Sequence, residues 1–303
     1  MLKQKFVMTN GVRLNVMVTE EVYTETIVFL HYSSGDVTVW NSLLPYFKDE
    51  YNIVIPDFRG HGESDKPESG YTMDDFANDL LGLFDALKLE KVHIVGSSLG
   101  VDVAVKAIPS LGSRVLSFIC EGPPQSMFGP FGVYNLSGQE KEEKIQELHL
   151  QRRVKQYPEY TSKHELIEAG KANITNAGLP LNEFISTTIE NNVTETIEGT
   201  FRWKMPRVVM DEFMEDFYLI NFEELFKEIT CPVLFIPSEG EWDSESFREF
   251  MEELKQCLPY FKAVKIPGAS HAFTMFYQYD EMATEMKAFF TKIKTLHPKQ
   301  DTR

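Results

Sequence analysis

The sequence predicts an α/β protein with a mostly parallel sheet of eight strands and a helical segment inserted after the sixth strand. Short apolar runs alternate with helical patterns over residues 1–123, and the same alternation returns over residues 229–303. This rhythm is typical of a parallel sheet with helices on both faces. Residues 124–228 show helical patterns alone. We therefore predict one core, made of the first and last segments, with a helical lid over residues 124–228.

The composition limits the partners of this core. The chain has 303 residues, 43% of them hydrophobic, and 46 acidic against 30 basic side chains give a net charge of -16. Such an acidic chain lacks the basic surface that nucleic acids or anionic membranes attract, and it contains no apolar run of about 20 residues for a spanning helix. The acid is spread over core and lid, which indicates a solvated surface. The alternative is an acidic rim that disfavours anionic substrates.

The cysteines and the N-terminus indicate a cytoplasmic protein. The three cysteines, Cys120, Cys231 and Cys257, are widely spaced and odd in number, as expected of a reduced intracellular chain. The first 16 residues alternate like a strand and contain no apolar signal core.

The first part of the core begins with a hairpin, because Asn10-Gly11 separates two alternating runs at 6–8 and 12–18. Four continuous apolar runs predict buried strands at 26–31, 53–56, 92–96 and 115–120. Three helical patterns lie between them, at 37–47, after the capping box Thr72-Met-Asp-Asp75, and at 99–108.

The lid and the last part of the core follow the same rules. Helices are predicted from the capping signals at Ser137 and Ser162, and from the patterns at 208–217 and 222–229. The final segment then supplies two strands and two helices, at 233–236, 261–266, 244–258 and 277–293.

The strongest local signal is the G-x-S-x-G motif Gly96-Ser97-Ser98-Leu99-Gly100, which lies between a buried strand and a helix. Ser98 must adopt a strained backbone there, and a glycine two residues before and after it leaves room for the tight turn. The turn lifts the Ser98 hydroxyl to the carboxyl edge of the sheet and points the N–H of Leu99 at it. This context predicts Ser98 as a nucleophile.

A serine nucleophile needs a base, and His271 stands in the turn directly after the last predicted strand. The carboxyl ends of parallel strands are where such sheets place their sites. The alternative is a loop histidine satisfied by the backbone. We expect His61, in a glycine-rich turn, and His93, inside a strand, to be structural.

Several carboxylates are candidates for the acid that orients the base. Glu239, Glu241 and Asp243 share the loop after strand 233–236. Asp243 also fits as the N-cap of the next helix, and the two glutamates also fit as solvated charges. Glu121, at the end of the strand before the lid, is a fourth candidate.

In their order along the chain, five segments resemble those of an α/β-hydrolase with a helical lid. Leu30-His31 with Ser33 resembles the family's His-Gly-X oxyanion loop, and the G-x-S-x-G motif resembles its nucleophile elbow. The other three are a D-x-R-G-x-G-x-S turn, the strand before the acid and the histidine loop, at Asp57–Ser64, Cys231–Ile236 and Pro267–His271.

This resemblance implies a role for each candidate. Ser98 is the nucleophile and His271 the general base, while Glu241 stands where the family usually has its aspartate. Asp243 is the alternative acid if the loop takes another route. The N–H groups of Ser33 and Leu99 would bind the oxyanion.

The chain departs from the family in its glutamate acid and at Tyr32, where the oxyanion loop usually has a glycine. By position, Tyr32 and Phe273 are the best candidates for the substrate pocket. Aromatic residues of the lid are expected in the lid core more than in the pocket: Phe128, Phe131, Tyr134 and Trp203.

The sequence thus predicts a serine hydrolase that acts on an ester or related acyl compound of small to medium size. No metal or cofactor is expected, because the chain shows neither metal-ligand spacing nor a phosphate-binding glycine loop. An aspartate at position 98 would instead have resembled a dehalogenase or an epoxide hydrolase. Two alternatives remain: a ligand-binding protein with a slow or vestigial triad, and a non-ester enzyme of this fold, either a C–C bond hydrolase or a cofactor-free perhydrolase.

Overall fold

A computed structural model describes residues 2–20, 22–153 and 158–296. Its strands are β1 Lys3–Thr9, β2 Val12–Val18, β3 Thr26–Leu30, β4 Asn52–Pro56, β5 Val92–Ser97, β6 Val115–Glu121, β7 Val193–Glu195, β8 Phe201–Trp203, β9 Val233–Ile236 and β10 Phe261–Ala263. Eight of them form one sheet in the order β1-β2-β4-β3-β5-β6-β9-β10. Pairs β1–β2 and β2–β4 are antiparallel, and all other pairs are parallel. The predicted fold class is confirmed.

The helices are α1 Leu44–Phe47, α2 Met73–Leu87, α3 Leu99–Leu111, α4 Gly138–Arg153, α5 Lys163–Asn176, α6 Glu183–Asn191, α7 Arg207–Phe217, α8 Phe222–Lys227, α9 Glu239–Asp243, α10 Glu245–Cys257, α11 Thr274–Tyr277 and α12 Tyr279–Leu296. Helices α2, α3, α8 and α10 cover one face of the sheet, while α1, α11 and α12 cover the other. None of the described helices has the length and apolar character needed to cross a membrane.

Burial on both faces explains why the central strands are continuous apolar runs. In β3, Ile27 and Phe29 belong to one hydrophobic core, whereas Val28 and Leu30 belong to the core on the opposite face. Side chains alternate between the two faces of a strand. A strand that is covered on both faces therefore has no solvent-exposed position that favours a polar side chain. The carboxyl ends of these strands therefore meet at one edge, where the loops emerge.

The segment between β6 and β9 contains α4 to α8 and, contrary to the sequence prediction, a small hairpin of β7 and β8. Each of these strands has three residues, which is too short for an alternating pattern to be recognised. The turn between them includes Gly199, with φ of 79°. Helix α6 was also missed, although Asn182 caps it by accepting a hydrogen bond from the N–H of Ile185.

The helix predicted over 37–47 is interrupted. A 3-10 turn covers Val37–Trp40, and α1 begins only at Leu44. Pro45 lacks an N–H and its ring crowds the preceding turn, so one continuous helix cannot pass through it. The predicted strand 261–266 is also shorter and ends at Ala263.

A buried ion pair fixes the turn after β4 against α2. The Nε and Nη2 atoms of Arg59 each donate to an oxygen of Asp79 at 2.6 Å, and Nη1 donates to the carbonyl of Gly70 at 2.6 Å. The side chains of Arg59 and Asp79 are only 4% and 2% exposed. Without Asp79, the buried Arg59 charge would keep only a longer contact with the partly exposed Asp75, whose Oδ1 lies 3.7 Å from Nη1.

We expect Asp79→Ala to lower the free energy of unfolding by about 3–5 kcal/mol, the usual cost of breaking a buried pair. The control is Asp85→Ala, which breaks the pair of Asp85 with Arg114, where Asp85 is 71% exposed. That change should cost less than about 1 kcal/mol. Urea unfolding measures both values, and similar losses in the two variants would contradict the argument.

Candidate active site

The turn between β5 and α3 places Ser98 at the carboxyl edge of the sheet. Ser98 has φ of 47° and ψ of -114°, a strained conformation for a serine. A Cβ atom on Gly96 would lie 2.7 Å from the backbone of Gly100, and one on Gly100 would lie 2.2 Å from the carbonyl oxygen of Leu30. The two glycines of the motif are therefore required by close backbone contacts. The N–H of Ser98 donates to the carbonyl of Glu121 at 3.1 Å and anchors the turn to β6.

Three predicted side chains meet at this edge. The Nε2 atom of His271 lies 3.0 Å from Oγ of Ser98, and its Nδ1 atom lies 2.6 Å from Oε1 of Glu241. With the Nδ1 proton donated to Glu241, Nε2 is left to accept the hydroxyl proton of Ser98. This arrangement is the serine–histidine–carboxylate geometry of nucleophilic catalysis.

The carboxylate of Glu241 is held by the first turn of α9. Ser238 caps this helix by accepting from the N–H of Glu241 at 3.3 Å, and the N–H of Ser238 donates to Oε2 of Glu241 at 2.6 Å. This capping box occupies one carboxylate oxygen and leaves the other for His271. The S-x-x-E pattern from Ser238 to Glu241 is a sequence signal that the loop interpretation overlooked.

Two hydrogen bonds join α9 to the histidine loop. The N–H of Glu239 donates to the carbonyl of Ala269, and the N–H of Gly268 donates to Oε1 of Glu239, both at 3.0 Å. Close packing continues at Gly122, where a Cβ atom would lie 2.9 Å from Nδ1 of His271. The acid and the histidine are thus positioned by a shared set of backbone contacts.

Asp243, the alternative acid, points elsewhere. Its side chain is 80% exposed and lies 4.0 Å from Nζ of Lys265. It is not the N-cap of α10 either, because Ser244 caps that helix by accepting from the N–H of Phe247. The structure brings Glu241, and not Asp243, to His271.

The fourth candidate, Glu121, holds the residues around Ser98 and His271 together by hydrogen bonds. Its carboxylate accepts from the Ser97 hydroxyl at 2.6 Å and from the N–H of Thr274 at 3.1 Å. It thereby links the residue before Ser98 to the segment after His271. Burial raises the pKa of this carboxyl despite these hydrogen bonds. In the sequence, only its position at the end of the strand before the predicted lid had indicated Glu121 as a site residue.

The proton affinity of His271 is set by opposing effects. Partial desolvation of the half-exposed ring lowers its pKa, but the hydrogen bond and negative charge of Glu241 outweigh this effect and raise the pKa above its usual value. His61 and His93, expected to be structural, are both buried. Burial lowers the pKa of His61 to about 3.

The candidate oxyanion donors come from two neighbouring loops. Leu99 is the first residue of α3, so its N–H has no acceptor within the helix. Ser33 follows β3, and the register that pairs Leu30 with Gly96 brings the two loops to the same edge. Both N–H groups therefore belong to the edge that carries Ser98.

Tyr32 stands where the resemblance predicts a glycine, but it does not have the positive φ that favours glycine. The positive φ of this loop lies at Ser34, with 63°, and not at Tyr32. The N–H of Gly35 donates to the carbonyl of Tyr32 at 3.0 Å and closes a tight turn. The backbone at position 32 therefore has no need of the conformational freedom of glycine.

A buried histidine holds the same loop. The Nε2 atom of His31 accepts from the N–H of Phe58 at 3.1 Å, so Nδ1 carries the proton and donates to the carbonyl of Tyr32 at 2.7 Å. Burial lowers the pKa of His31 to about 4, which keeps the ring neutral.

A cavity of about 760 Å³ lies between the oxyanion loop and the segment predicted as the lid. It meets the site at Tyr32 and Ser33, and not at Ser98 itself. Phe273, the second predicted pocket residue, does not line it, but its ring centroid lies 6.0 Å from that of Tyr32. The other lining residues are Ser34, Arg152, Pro158, Glu159, Tyr160, Gly170, Asn173, Thr188, Ile189, Asn192, Arg202, Trp203, Met205, Arg207 and Met210.

The four aromatic residues that were assigned to the predicted lid from the sequence have different positions. Trp203 lines the cavity, whereas Phe128 and Tyr134 pack on each other with ring centroids 5.7 Å apart. Phe131 lies against a shallow depression beside α10. Within the described residues, no group of three His, Cys, Asp or Glu side chains is arranged to hold a metal ion.

Comparison with known proteins agrees with this architecture. A family model described as alpha/beta hydrolase fold matches residues 25–137. The crystal structure of E-2-(acetamidomethylene)succinate hydrolase superposes with a TM-score of 0.74 at 20% identity, covering 96% of this chain and 100% of that one.

Relatives in sequence are partial or distant. An uncharacterized protein of Mycobacterium tuberculosis is 34% identical over 93 residues, which are 30% of this chain and 27% of that protein. The 2-(acetamidomethylene)succinate hydrolase of Mesorhizobium japonicum is 33% identical over 107 residues, 35% of this chain and 38% of the relative. A putative 2-succinyl-6-hydroxy-2,4-cyclohexadiene-1-carboxylate synthase of Bacillus subtilis is 26% identical over 276 residues, covering 87% and 89% of the two chains.

The sheet order, the turn at Ser98 and these comparisons define the class of protein. The chain has the α/β-hydrolase fold, and its residues 25–137 match the model of that family.

The electrostatic argument predicts the titration of His271. We expect its imidazole to titrate above the usual value of about 6.5. Glu241→Gln should lower this pKa, because the imidazolium loses a hydrogen bond to a charged carboxylate and its negative charge. Glutamine can retain the capping box, so the change removes charge with little effect on α9. NMR titration of the imidazole measures the value. Asp243→Asn is the control and should leave it unchanged; a larger effect there would contradict the assignment.

Proposed function

We propose that the chain is an enzyme, a serine hydrolase that cleaves an ester or related acyl compound of small to medium size. The observation that carries this proposal is the double contact of His271, 3.0 Å from Oγ of Ser98 and 2.6 Å from the carboxylate of Glu241. A histidine that only stabilised the loop would not need both partners. Their order along the chain, serine, acid, histidine, is also that of hydrolases with this turn.

In the proposed reaction, Oγ of Ser98 attacks the substrate carbonyl while Nε2 of His271 takes its proton. The imidazolium is stabilised by Glu241 and returns that proton to the leaving group, which departs and leaves an acyl group on Ser98. His271 then takes a proton from water, whose oxygen attacks the acyl carbon. The tetrahedral intermediate so formed collapses, the C–Oγ bond breaks, and the His271 imidazolium returns its proton to Oγ of Ser98, which releases the acid and restores the hydroxyl.

The N–H groups of Ser33 and Leu99 are proposed to bind the negative charge that develops on the carbonyl oxygen. Donors of this kind contribute roughly 2.7–4 kcal/mol each in comparable sites. The ordinary backbone at Tyr32 supports this role, since the loop keeps its turn without a glycine.

We propose that residues 124–228 form a lid over the cavity and that the cavity receives the substrate. Its volume of about 760 Å³ suits a compound of small to medium size. Tyr32 is proposed to contact the substrate. Phe273 is proposed to fix the position of the Tyr32 ring through the contact between the two rings.

A second candidate is a non-ester activity of the same fold, such as hydrolysis of a C–C bond. It is favoured by one observation, the relative of Bacillus subtilis that matches 87% of this chain and is named a putative synthase. The hydrolase names of other relatives favour the first candidate. A pure ligand-binding role is disfavoured by the hydrogen-bonded pair of Ser98 and His271.

The nucleophile is tested with a fluorophosphonate probe and p-nitrophenyl butyrate. We expect covalent labelling of Ser98, located by mass spectrometry of peptides, and ester turnover that falls by at least about 1,000-fold in Ser98→Ala. Ser97→Ala serves as a neighbouring serine control and should still be labelled at Ser98. Absence of the adduct, or undiminished turnover in Ser98→Ala, would reject the hydrolase proposal.

The acid is tested separately. Glu241→Gln should lower kcat for the same ester by about 100-fold or more, because the imidazolium loses its stabilising charge. Asp243→Asn should stay within about twofold, since its exposed carboxylate does not reach His271. In wild type, kcat/KM should fall as His271 becomes protonated, with an inflection above pH 6.5 that moves to lower pH in Glu241→Gln. A larger kcat loss in Asp243→Asn would transfer the role to that residue.

A further inference from the structure

The cavity beside the oxyanion loop concentrates positive charge in an otherwise acidic chain. Arg152, Arg202 and Arg207 line it, three of the nine arginines in a sequence with a net charge of -16. Among the described residues that line the cavity, Glu159 is the one acid, and its carboxylate accepts from the Thr200 hydroxyl. An acidic rim that disfavours anions, the alternative considered from the sequence, is therefore not what this cavity presents.

Two of these arginines have no acidic side chain as an ion-pair partner among the described residues. Within the part of the chain that the structure describes, neither Arg152 nor Arg202 forms an ion pair, and the buried Nε atom of Arg152 has no hydrogen-bond partner. Arg207 differs, because its Nε donates to Asp211 at 2.8 Å. A buried polar atom without a partner costs free energy. A ligand that supplies acceptors would remove this cost.

The start of α7 strengthens the same potential. This helix begins at Arg207, contains 11 residues, and has no side-chain cap and no acid in its first turn. Met205, Arg207 and Met210 from this region all line the cavity. The N-terminal end of a helix carries partial positive charge and favours anions. Guanidinium groups and a helix end therefore act in the same direction.

We infer that this cavity binds a carboxylate carried by the substrate, with Arg152 and Arg202 as its ligands. The planar fork of arginine matches the two oxygens of a carboxylate, which accept two parallel hydrogen bonds. The same cavity is also lined by Ser33, whose N–H is the proposed oxyanion donor. The substrate would thus be an acyl compound with a carboxylate at one end and the scissile carbonyl at the other. Which bond is cleaved rests on the proposed function; carboxylate binding does not.

The first test compares two esters of matched shape. Mono-p-nitrophenyl glutarate carries a carboxylate where p-nitrophenyl 5-methylhexanoate carries an isopropyl group of similar size. We expect wild type to favour the charged ester in kcat/KM by about tenfold or more, mainly through KM, since one lost charged hydrogen bond corresponds to roughly that factor. Equal use of the two esters, or preference for the neutral one, would overturn the inference.

Three variants locate the charge. Arg152→Gln and Arg202→Gln should each lower kcat/KM for the glutarate ester by about 10–100-fold more than for the neutral ester, and remaining turnover of the neutral ester also shows that they fold. Arg152→Lys keeps the charge but loses the fork, and should recover part of the loss. The control is Arg114→Gln, because Arg114 pairs with Asp85 and does not line the cavity. Equal losses on both esters in the cavity variants would contradict the assignment.

A binding measurement separates this inference from the proposed reaction. Glutarate is titrated calorimetrically into Ser98→Ala, with the same titration of Ser98→Ala/Arg152→Gln and of inorganic phosphate. Binding of glutarate that is lost in the double variant supports the carboxylate site even if Ser98 proves unreactive. No glutarate binding, or binding of phosphate in its place, overturns the inference even if Ser98 is labelled and neutral esters are cleaved.

Discussion

The turn at Ser98 is the constraint on which the rest of the site depends. A serine with positive φ is unfavourable on its own, and the turn persists because surrounding contacts determine it. Gly100 permits the close approach to Leu30 of β3, Gly96 permits the close approach to Gly100, and the carbonyl of Glu121 accepts from the Ser98 N–H. The same approach brings the oxyanion loop beside the nucleophile. One tight turn thus sets the position of the hydroxyl and of both proposed oxyanion donors.

Carboxylates around this turn are distinguished by what they contact, not by distance along the chain. Glu241 has one oxygen on the backbone of α9 and the other on His271, so the extra methylene relative to aspartate serves two contacts. Glu121 is buried, and its two oxygens accept hydrogen bonds from the Ser97 hydroxyl and the Thr274 N–H. Asp243 is solvated. Three acids within one neighbourhood therefore have three different electrostatic environments, which is how such sites assign separate tasks to identical groups.

The sequence predicted the features that local patterns encode. The first two strands follow from alternating runs around Asn10-Gly11, and the buried strands follow from continuous apolar runs. The turn at Ser98 follows from its glycines and its place between strand and helix. The sequence could not decide between Glu241 and Asp243 by residue spacing, because that choice depends on a hydrogen bond inside a five-residue helix. The cavity arginines were missed for a different reason: Arg152 and Arg202 lie 50 positions apart and line one cavity only when the chain folds. Whether charged residues that are distant in sequence line the same cavity depends on the tertiary structure.

The shortness of α9 has a consequence for how the site fails. A helix of five residues is far below the length that is stable in isolation, so it persists through its cap and its contacts with the histidine loop. Fraying of that single turn would release the carboxylate from the imidazole while the sheet and its two cores stayed intact. The fraction of molecules in which Glu241 contacts His271 is then set by the local opening of α9. The free energy of this opening is smaller than that of global unfolding.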